Sequence, residues 1–474
     1  MRRSPTTLSR AGLALAALAL GGCASLAPDA GFGPVADRVQ QATGQRIAAA
    51  RTEGDLEPAR QRVRALLAQP LTADAAVEIA LIQHRGLQAS FAELGIADAD
   101  RVQAGRLPNP GFSFGRSGRG DEREIERGLH IALARLVALP AIAAVEQRRV
   151  EAMQREVALV AIGHAAATRK AWIEAVAAEE SMRYRRQVVQ AAEAGAELAR
   201  RMEQAGNFNK LQRAREQGFL GDALLDLARA EQRQRATRER LVRLMGLWGE
   251  QTSFALPERL PDLPAEPAER PQIEREALAQ RLDVQAARLA VEQTARNLGL
   301  TRTTRFVNVL ELGLMRNSSN EEPTQTGWEV SVELPLFDFG TARVARAEAV
   351  YTQALHRAAA VAIDARSEVR EAYSNLRFAW DIARHHRDEL VPLKRRISDE
   401  NLLRYNGMLI GVFDLLADAR SQIAGVNASI DALRDYWLAA ADLELAMLGK
   451  PALVPMPSPG GAAAASAASA ADPH

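Results

Sequence analysis

The chain has 474 residues, a formal net charge of +1 and a single cysteine. A charge balance this close to neutral disfavours a nucleic-acid partner, and one cysteine excludes an intrachain disulfide. Only 5% of the residues are aromatic, whereas Ala, Leu, Arg, Glu and Gln are abundant. This composition is typical of long helices and coiled coils.

Residues 1–22 are predicted to be a secretory signal peptide, because three arginines precede an apolar run from Ala11 to Leu20. The run leads into Leu20-Gly21-Gly22-Cys23, the pattern of a bacterial lipobox. We therefore expect the Cys23 thiol to carry a diacylglyceryl group that tethers the chain to membrane lipid. In a Gram-negative cell, Ala24 after the lipidated cysteine favours sorting to the outer membrane. A conventional signal peptide that contains a cysteine by chance is the alternative.

Composition divides the rest of the chain into segments. Residues 23–70 are predicted to be a lipid-anchored leader, extended apart from a short helix, and Thr72 is expected to cap the helix that follows. Residues 254–275 hold five prolines and are predicted to link two larger parts, 71–253 and 276–449. The end of the chain, 450–474, is expected to be disordered. No stretch after residue 22 approaches the ~20 apolar residues that a membrane-spanning helix needs.

The two larger parts repeat one pattern of helix, strand pair, long helix, turn and returning helix. Matching positions are Gln88 and Gln285, Pro140 and Pro335, and Gly206 and Gly407, which are separated by 197, 195 and 201 residues. The near-constant spacing indicates a structural unit used twice, with a small insertion in the second long helix. Gly206, Gly407 and Gly411 are predicted to kink the chain at the helical tips.

Each copy contains a predicted pair of strands. In the second copy, apolar and polar side chains alternate from Trp328 to Leu334, as in a strand that faces lipid on one side and water on the other. Its partner is predicted over 305–316, with a polar loop at 317–325. The first-copy strands are predicted at 111–115 and 129–133, joined by a charged loop at 116–124. We expect Trp328 at the membrane–water interface with its ring outward.

Four strands are too few to close a membrane barrel, since the smallest single-chain barrels have about eight. The barrel is therefore expected to be shared between chains, and three copies would supply twelve strands. Two amphipathic hairpins packed on a soluble core are the alternative interpretation. Glu329 and Glu333 could hold a cation inside a barrel, but polar side chains are the default on a lumen face.

The fold is predicted to be mixed and mainly α, with very long helices. No proline interrupts residues 141–205, which would span roughly 100 Å as one helix, and 335–407 is expected to form a similar helix. In the second returning helix, apolar residues recur at alternating spacings of three and four: Leu416, Ala419, Ile423, Val426, Ile430, Leu433, Trp437 and Ala440. This heptad seam predicts supercoiling against a neighbour. A dimeric coiled-coil scaffold is the alternative.

The sequence contains no phosphate-binding glycine loop, no His/Cys metal cluster and no nucleophile motif. We therefore expect neither an enzyme nor a cofactor. His385 and His386 are adjacent, and adjacent side chains on a helix point about 100° apart, so a solvated face is expected rather than a metal pair. Arg119-Gly120-Asp121 spells an adhesion tripeptide but is expected to be a charged turn.

Short motifs in a fixed order resemble the TolC family of outer-membrane efflux factors, in particular its lipid-anchored members, over residues 70–449. These motifs are Leu71-Thr72, Gln103–Pro110, Leu334–Gly340, Arg404-Tyr405 and Asp414–Ala417. The resemblance implies a homotrimer with a twelve-stranded outer-membrane barrel and a long periplasmic helical barrel. It also implies a passive export channel that docks through a periplasmic adaptor protein onto an inner-membrane pump. A lipid-anchored periplasmic adaptor or scaffold without a pore is the alternative.

The resemblance further places a gate at the periplasmic helical tip. Asp414 follows Tyr405 by nine residues, as the matching carboxylate does in the family, and three copies would place three carboxylates around one narrow mouth. Such a ring is expected to attract cations, although an acidic residue in the first turn of a helix also stabilises the helix dipole. Tyr405, Gln212 and Arg213 are the other gate candidates. Family members commonly carry an acidic residue in the first-copy tip, where this chain has Gln212 and Arg213.

Overall fold

The computed structural model describes residues 25–50, 52–267, 269–306, 309–333 and 336–450. The predicted signal peptide, the lipid-attachment residue Cys23, the strand end at Leu334 and nearly all of the predicted C-terminal tail lie outside these residues. Within them, no helix is both long enough and apolar enough to cross a membrane.

The described chain is mainly helical, and its strands form one four-stranded sheet. The first helices are α1 (Gly33–Thr43), α2 (Glu53–Leu67), α3 (Ala73–Gln83) and α4 (Arg85–Ala104). They are followed by β1 (Gly111–Arg119), β2 (Glu122–Ala132), α5 (Leu133–Gln204) and α6 (Lys210–Met245). The second copy comprises α7 (Ile273–Gln280), α8 (Leu282–Thr304), β3 (Leu310–Ser319), β4 (Gln325–Val332), α9 (Thr341–His385), α10 (Val391–Asn406) and α11 (Val412–Leu448). The predicted mainly α fold with long helices and four strands is confirmed, whereas its closure into a twelve-stranded barrel of three chains stays a prediction.

Helix α5 is the longest element and the centre of the packing. Its 72 residues span roughly 110 Å at 1.5 Å per residue, and it contacts α3, α4, α6, α8 and α11. It begins at Leu133, within the predicted strand and before the predicted start at Pro140. Pro140 lies inside the helix, where it removes one backbone hydrogen bond, and the helix continues through it.

The second long helix is not continuous, contrary to the prediction for 335–407. Helix α9 ends at His385, a π-helical turn covers His386–Leu390, and α10 follows with Pro392 in its first turn. Proline has no N–H to donate to the preceding turn, and π-turns accommodate such interruptions within a helix. Pro392 is the sequence signal for this interruption.

The predicted leader packs against the helices. It contains two helices, α1 and α2, rather than the one predicted, and the buried side chains of Val35, Val39 and Val63 fix them to the rest of the fold. Helix α3 begins as expected after Thr72, whose hydroxyl oxygen accepts a hydrogen bond from the Ala75 N–H at 3.2 Å.

The proline-rich segment between the copies also packs on the helices. Leu260 and Leu263 are buried, and the indole N–H groups of two tryptophans donate to its backbone. Trp437 donates to the Pro261 carbonyl and Trp380 to the Pro264 carbonyl, each at 3.0 Å. The segment ends before the predicted boundary, because α7 begins at Ile273.

The four strands are antiparallel and adjacent in chain order, β1-β2-β3-β4. Both predicted hairpin loops are wrong, because strands occupy residues 116–119, 122–124 and 317–319. Between β1 and β2 there is a tight turn at Gly120-Asp121, where Gly120 has φ 64°. Strand β3 starts at Leu310 rather than 305, since α8 continues to Thr304.

The register places apolar side chains on one face of the sheet. Phe112, Leu129, Leu314 and Trp328 lie opposite one another across all four strands. Ile131, Leu312 and Val330 form the next row, and Leu310 and Val332 the row after it. Trp328 is 72% exposed, and its place at a membrane interface stays a prediction. This surface is defined here as the apolar sheet face.

Two histidines lie in contact inside the first copy. The ring centroids of His84 and His164 are 4.2 Å apart, and His164 Nε2 is 2.8 Å from the Leu244 carbonyl oxygen. Burial lowers the pKa of both groups, and the neighbouring His84 helps to bring the pKa of His164 to about 4. Both rings are therefore neutral in the folded protein at pH 7.

This pair predicts a loss of stability in mild acid. His164 has a pKa of about 4 in the folded protein and about 6.5 in the unfolded chain. Its contribution to the free energy of unfolding is therefore complete above about pH 6.5 and is lost as the pH falls towards 4. We expect the free energy of unfolding to drop by about 2 kcal/mol between pH 7 and pH 5 from His164 alone. Urea titrations should show a smaller drop for His164→Gln, whose amide can still donate to Leu244. An equal drop in both proteins would contradict the assignment.

Candidate functional site at the helical tips

The first tip is the turn between α5 and α6. Gly206 has φ 79°, a left-handed conformation that glycine adopts without strain. The turn then enters α6 through a reciprocal cap: Asn209 Oδ1 accepts from the Gln212 N–H, and Gln212 Oε1 accepts from the Asn209 N–H, each at 2.8 Å. A capping box of this kind is readable from an Asn followed three positions later by Gln.

The second tip, between α10 and α11, uses a different conformation. Gly407 has φ −80° and Gly411 is extended with φ −84°, while Met408 takes the left-handed conformation with φ 59°. The left-handed residue of this turn is therefore Met408, one position after Gly407, and its side chain is 94% exposed. Asp414 Oδ2 accepts from the Gly411 N–H at 3.2 Å, so Asp414 acts as a helix-start residue in the single chain.

The two tips meet at one end of the molecule. The rings of Phe208, from the first tip, and Phe413, from the start of α11, stack with centroids 4.5 Å apart. Phe208 is buried. An offset aromatic pair of this kind is worth about 0.5–1.5 kcal/mol beyond the area it buries. It joins the first-copy and second-copy helical hairpins at the point where the chain reverses.

A partly buried ion pair reinforces this connection further along the helices. One guanidinium nitrogen of Arg420 in α11, Nη2, lies 2.7 Å from both carboxylate oxygens of Glu216 in α6. Glu216 is only 3% exposed, and the Arg420 guanidinium also lies 4.4 Å from the centre of the Phe219 ring. We call Glu216 and Arg420 the inter-copy pair, because it links the two repeats.

The structure distributes the predicted gate residues over both tips. Gln212 is engaged in the cap of α6, and Arg213 Nη1 donates to Glu203 Oε2 at 2.6 Å across the first turn. Tyr405 lies in the last turn of α10 and is partly exposed, while Asp414 opens α11. These four residues lie at one end of the molecule. Whether they surround a common axis depends on neighbouring chains, so the gate stays a prediction.

The inter-copy pair was missed from the sequence. A charged residue in a long helix usually faces water, and Glu216 is 204 positions from its partner.

The adjacent histidines lie at the π-turn. His385 Nδ1 lies 3.2 Å from a carboxylate oxygen of Glu389, and the described residues contain no cluster of metal-binding side chains.

No protein-family model and no curated protein matches this sequence. Solved structures do match. The open state of the Neisseria gonorrhoeae MtrE outer membrane channel has TM-score 0.66 and 20% identity, covering 80% of this chain and 90% of that chain. The Vibrio cholerae outer membrane protein VceC has TM-score 0.67 and 15% identity, covering 80% and 97%. The outer-membrane channel OprN has TM-score 0.65 and 17% identity, covering 95% and 98%. The chain therefore has the fold of these outer-membrane proteins.

Proposed function

We propose that the protein is a passive outer-membrane exit channel of a tripartite export system. The observation that carries this proposal is the apolar sheet face, exposed on a sheet whose outer strands, β1 and β4, each lack a partner on one side within the described chain. Unpaired strand edges are costly in lipid, where backbone groups find no water. Closure with strands of other copies satisfies both edges.

We propose three copies, the number that the resemblance to the TolC family implies. Four strands per chain give twelve in a trimer, a size within the range of outer-membrane barrels. Helix α10 also supports association with other chains. None of its described residues is buried, and four of its apolar side chains are exposed: Leu393, Ile397, Leu402 and Leu403. Neighbouring copies would cover these apolar side chains, since exposed patches of this kind mark interaction sites.

The lipid anchor and the partner proteins are proposed from the sequence pattern around Cys23 and from the family resemblance. The long helices extend from the sheet into the periplasm, and Cys23 supplies a lipid anchor in the outer membrane. A passive channel draws its energy from an inner-membrane pump, reached through a periplasmic adaptor protein, and performs no catalysis itself. The structural neighbours support this proposal as outer-membrane channels of the same fold. A lipid-anchored periplasmic scaffold without a pore is the competing function.

Removing the lipid anchor separates these two functions. We expect Cys23→Ala, secreted with a conventional cleavable signal peptide, to insert into the outer membrane as a trimer, because the barrel buries far more apolar surface than acyl chains do. Membrane fractionation and native electrophoresis of detergent extracts measure both properties. Recovery of Cys23→Ala as a soluble monomer, with the wild-type protein in the membrane, would favour the scaffold.

The proposed gate is tested at Asp414, whose two roles can be separated. Asp414→Asn keeps an oxygen that can accept from the Gly411 N–H but removes the charge, whereas Asp414→Ala removes both. We expect both variants to lose cation preference and block by multivalent cations in planar-bilayer recordings. Only Asp414→Ala should also lose about 1 kcal/mol of stability through the missing hydrogen bond from the Gly411 N–H. Unchanged selectivity in Asp414→Asn would leave Asp414 as a helix-start residue alone.

A further inference from the structure

Charges at the turn end of the sheet are sorted by face. Side chains two positions apart on a strand share a face, so the register places Arg116, Arg123, Arg127 and Arg316 on the apolar sheet face. The three glutamates of β2, Glu122, Glu124 and Glu126, lie on the opposite face of the sheet. Strand β2 thus alternates Glu and Arg while keeping each sign on one side.

The apolar sheet face carries no carboxylate to neutralise these arginines. Its other residues on the four strands are apolar, glycine or hydroxyl-bearing. All four arginines are exposed, and the ion pairs of the described residues include none of them. Arg127 Nη1 donates to the Ser318 hydroxyl at 3.1 Å. We call these four residues the arginine girdle.

Two members of the girdle face each other directly. Arg127 and Arg316 are register partners on neighbouring strands, and like charges directly opposite one another destabilise a sheet. An anion between the two guanidinium groups removes this repulsion. Guanidinium groups bind phosphate through paired, charge-assisted hydrogen bonds, so phosphate is the anion whose geometry fits them best.

The position of the girdle identifies where the phosphate comes from. The Arg127–Arg316 row follows the row that contains Leu314 and Trp328, towards the hairpin turns and away from the helices. If the apolar rows occupy the hydrocarbon layer, as the proposed function requires, the girdle lies at the headgroups of the outer leaflet. We propose that the arginine girdle binds the phosphate groups of outer-leaflet lipids and thereby holds the channel at a fixed depth.

The test compares lipid A, a phosphate-bearing glycolipid, with its dephosphorylated form. Purified wild-type trimer in detergent is titrated with each lipid, and bound lipid is counted by native mass spectrometry. The test protein is the fourfold variant Arg116→Gln, Arg123→Gln, Arg127→Gln, Arg316→Gln. The matched control is Glu122→Gln, Glu124→Gln, Glu126→Gln, which removes charge from the opposite face of β2.

We expect the fourfold variant to bind lipid A at least about tenfold more weakly than the wild type does. The control variant should bind lipid A as the wild type does. Binding of the dephosphorylated lipid should be the same in all three proteins. Inorganic phosphate at equal concentration should not compete, since it lacks the acyl chains that rest on the apolar rows. Competition by inorganic phosphate, equal binding in the variant, or an equal loss in the control would overturn the proposal.

Membrane insertion distinguishes this proposal from the one on which it rests. A wild-type protein that does not enter the membrane contradicts the channel itself, whereas an inserted trimer with unchanged lipid binding contradicts only the girdle. If the fourfold variant does not assemble, the double variant Arg127→Gln, Arg316→Gln removes the facing pair alone. It is then expected to show weaker lipid A binding, and wild-type binding would overturn the proposal.

Discussion

Glu216→Gln should increase the single-channel conductance of the reconstituted protein by opening its helical tip. The glutamine side chain has nearly the same shape, so packing around α6 is retained while the charge that holds Arg420 is lost. Breaking a buried ion pair costs about 3–5 kcal/mol. Because Arg420 is 35% exposed, water screens part of this, and we expect about 1–3 kcal/mol per chain to be lost from the closed arrangement.

A more exposed ion pair that also involves α6 provides the control. Arg186 in α5 and Glu231 in α6 are 3.0 Å apart, with 56% and 36% of their side chains exposed, and exposed pairs contribute about 0–1 kcal/mol. Glu231→Gln should therefore leave the conductance unchanged. Wild-type conductance in a correctly assembled Glu216→Gln trimer would show that the inter-copy pair does not hold the tip closed.

The double variant Glu216→Gln, Arg420→Gln tests whether the two residues act through each other. If they do, the effects of the single changes are not additive, and the double variant opens no further than either one. Fully additive increases in conductance would mean that Arg420 acts mainly through Phe219.

Arg281→Met should lower the free energy of unfolding by about 3–5 kcal/mol. Arg281 lies between α7 and α8 and is 2% exposed; its Nη2 is 2.6 Å from Asp283 and 2.9 Å from Glu368, and its Nη1 donates to the Ala446 carbonyl at 3.0 Å. Burial alone would lower the pKa of Arg281, but the two carboxylates outweigh it and raise the pKa. The side chain therefore stays charged and ties three helices together.

Methionine fills much of the same space but leaves two carboxylates without their common partner. Chemical denaturation of the detergent-solubilised protein measures the loss. Arg275→Met is the matched control, because Arg275 is exposed and bonds only a neighbouring Gln272 side chain among the contacts described; a change within about 0.5 kcal/mol is expected there. Equal stability of Arg281→Met and wild type would mean that apolar packing compensates for the lost charge network.

Much of this fold could be predicted because its signals are periodic. The heptad seam of α11 and the alternation from Trp328 onwards repeat many times, so single exceptions do not obscure them. The polarity of the charged stretch from Arg116 to Glu124 favours a loop. The period-two pattern of Glu122, Glu124 and Glu126 in β2 favours a strand instead, and the structure follows the period rather than the polarity.

The contacts at the tips could not be predicted in the same way. Periodicity identifies the face that a helix buries, but not which residue of a distant helix lies opposite. Glu216 and Arg420 meet only because two repeats pack side by side, and Met408 adopts its conformation because the turn demands it. Local sequence patterns contain neither constraint.

The hydrogen bonds from two tryptophans to the proline-rich segment attach the long helices to it at fixed points. Trp437 donates to the Pro261 carbonyl, and α11 begins at Val412, so the tip of α11 lies roughly 38 Å along the helix from this hydrogen bond. A tilt of about 5° at Trp437 then displaces the tip by about 3 Å. A small rearrangement near this hydrogen bond therefore produces a larger displacement of the helical tip, without any helix having to unwind.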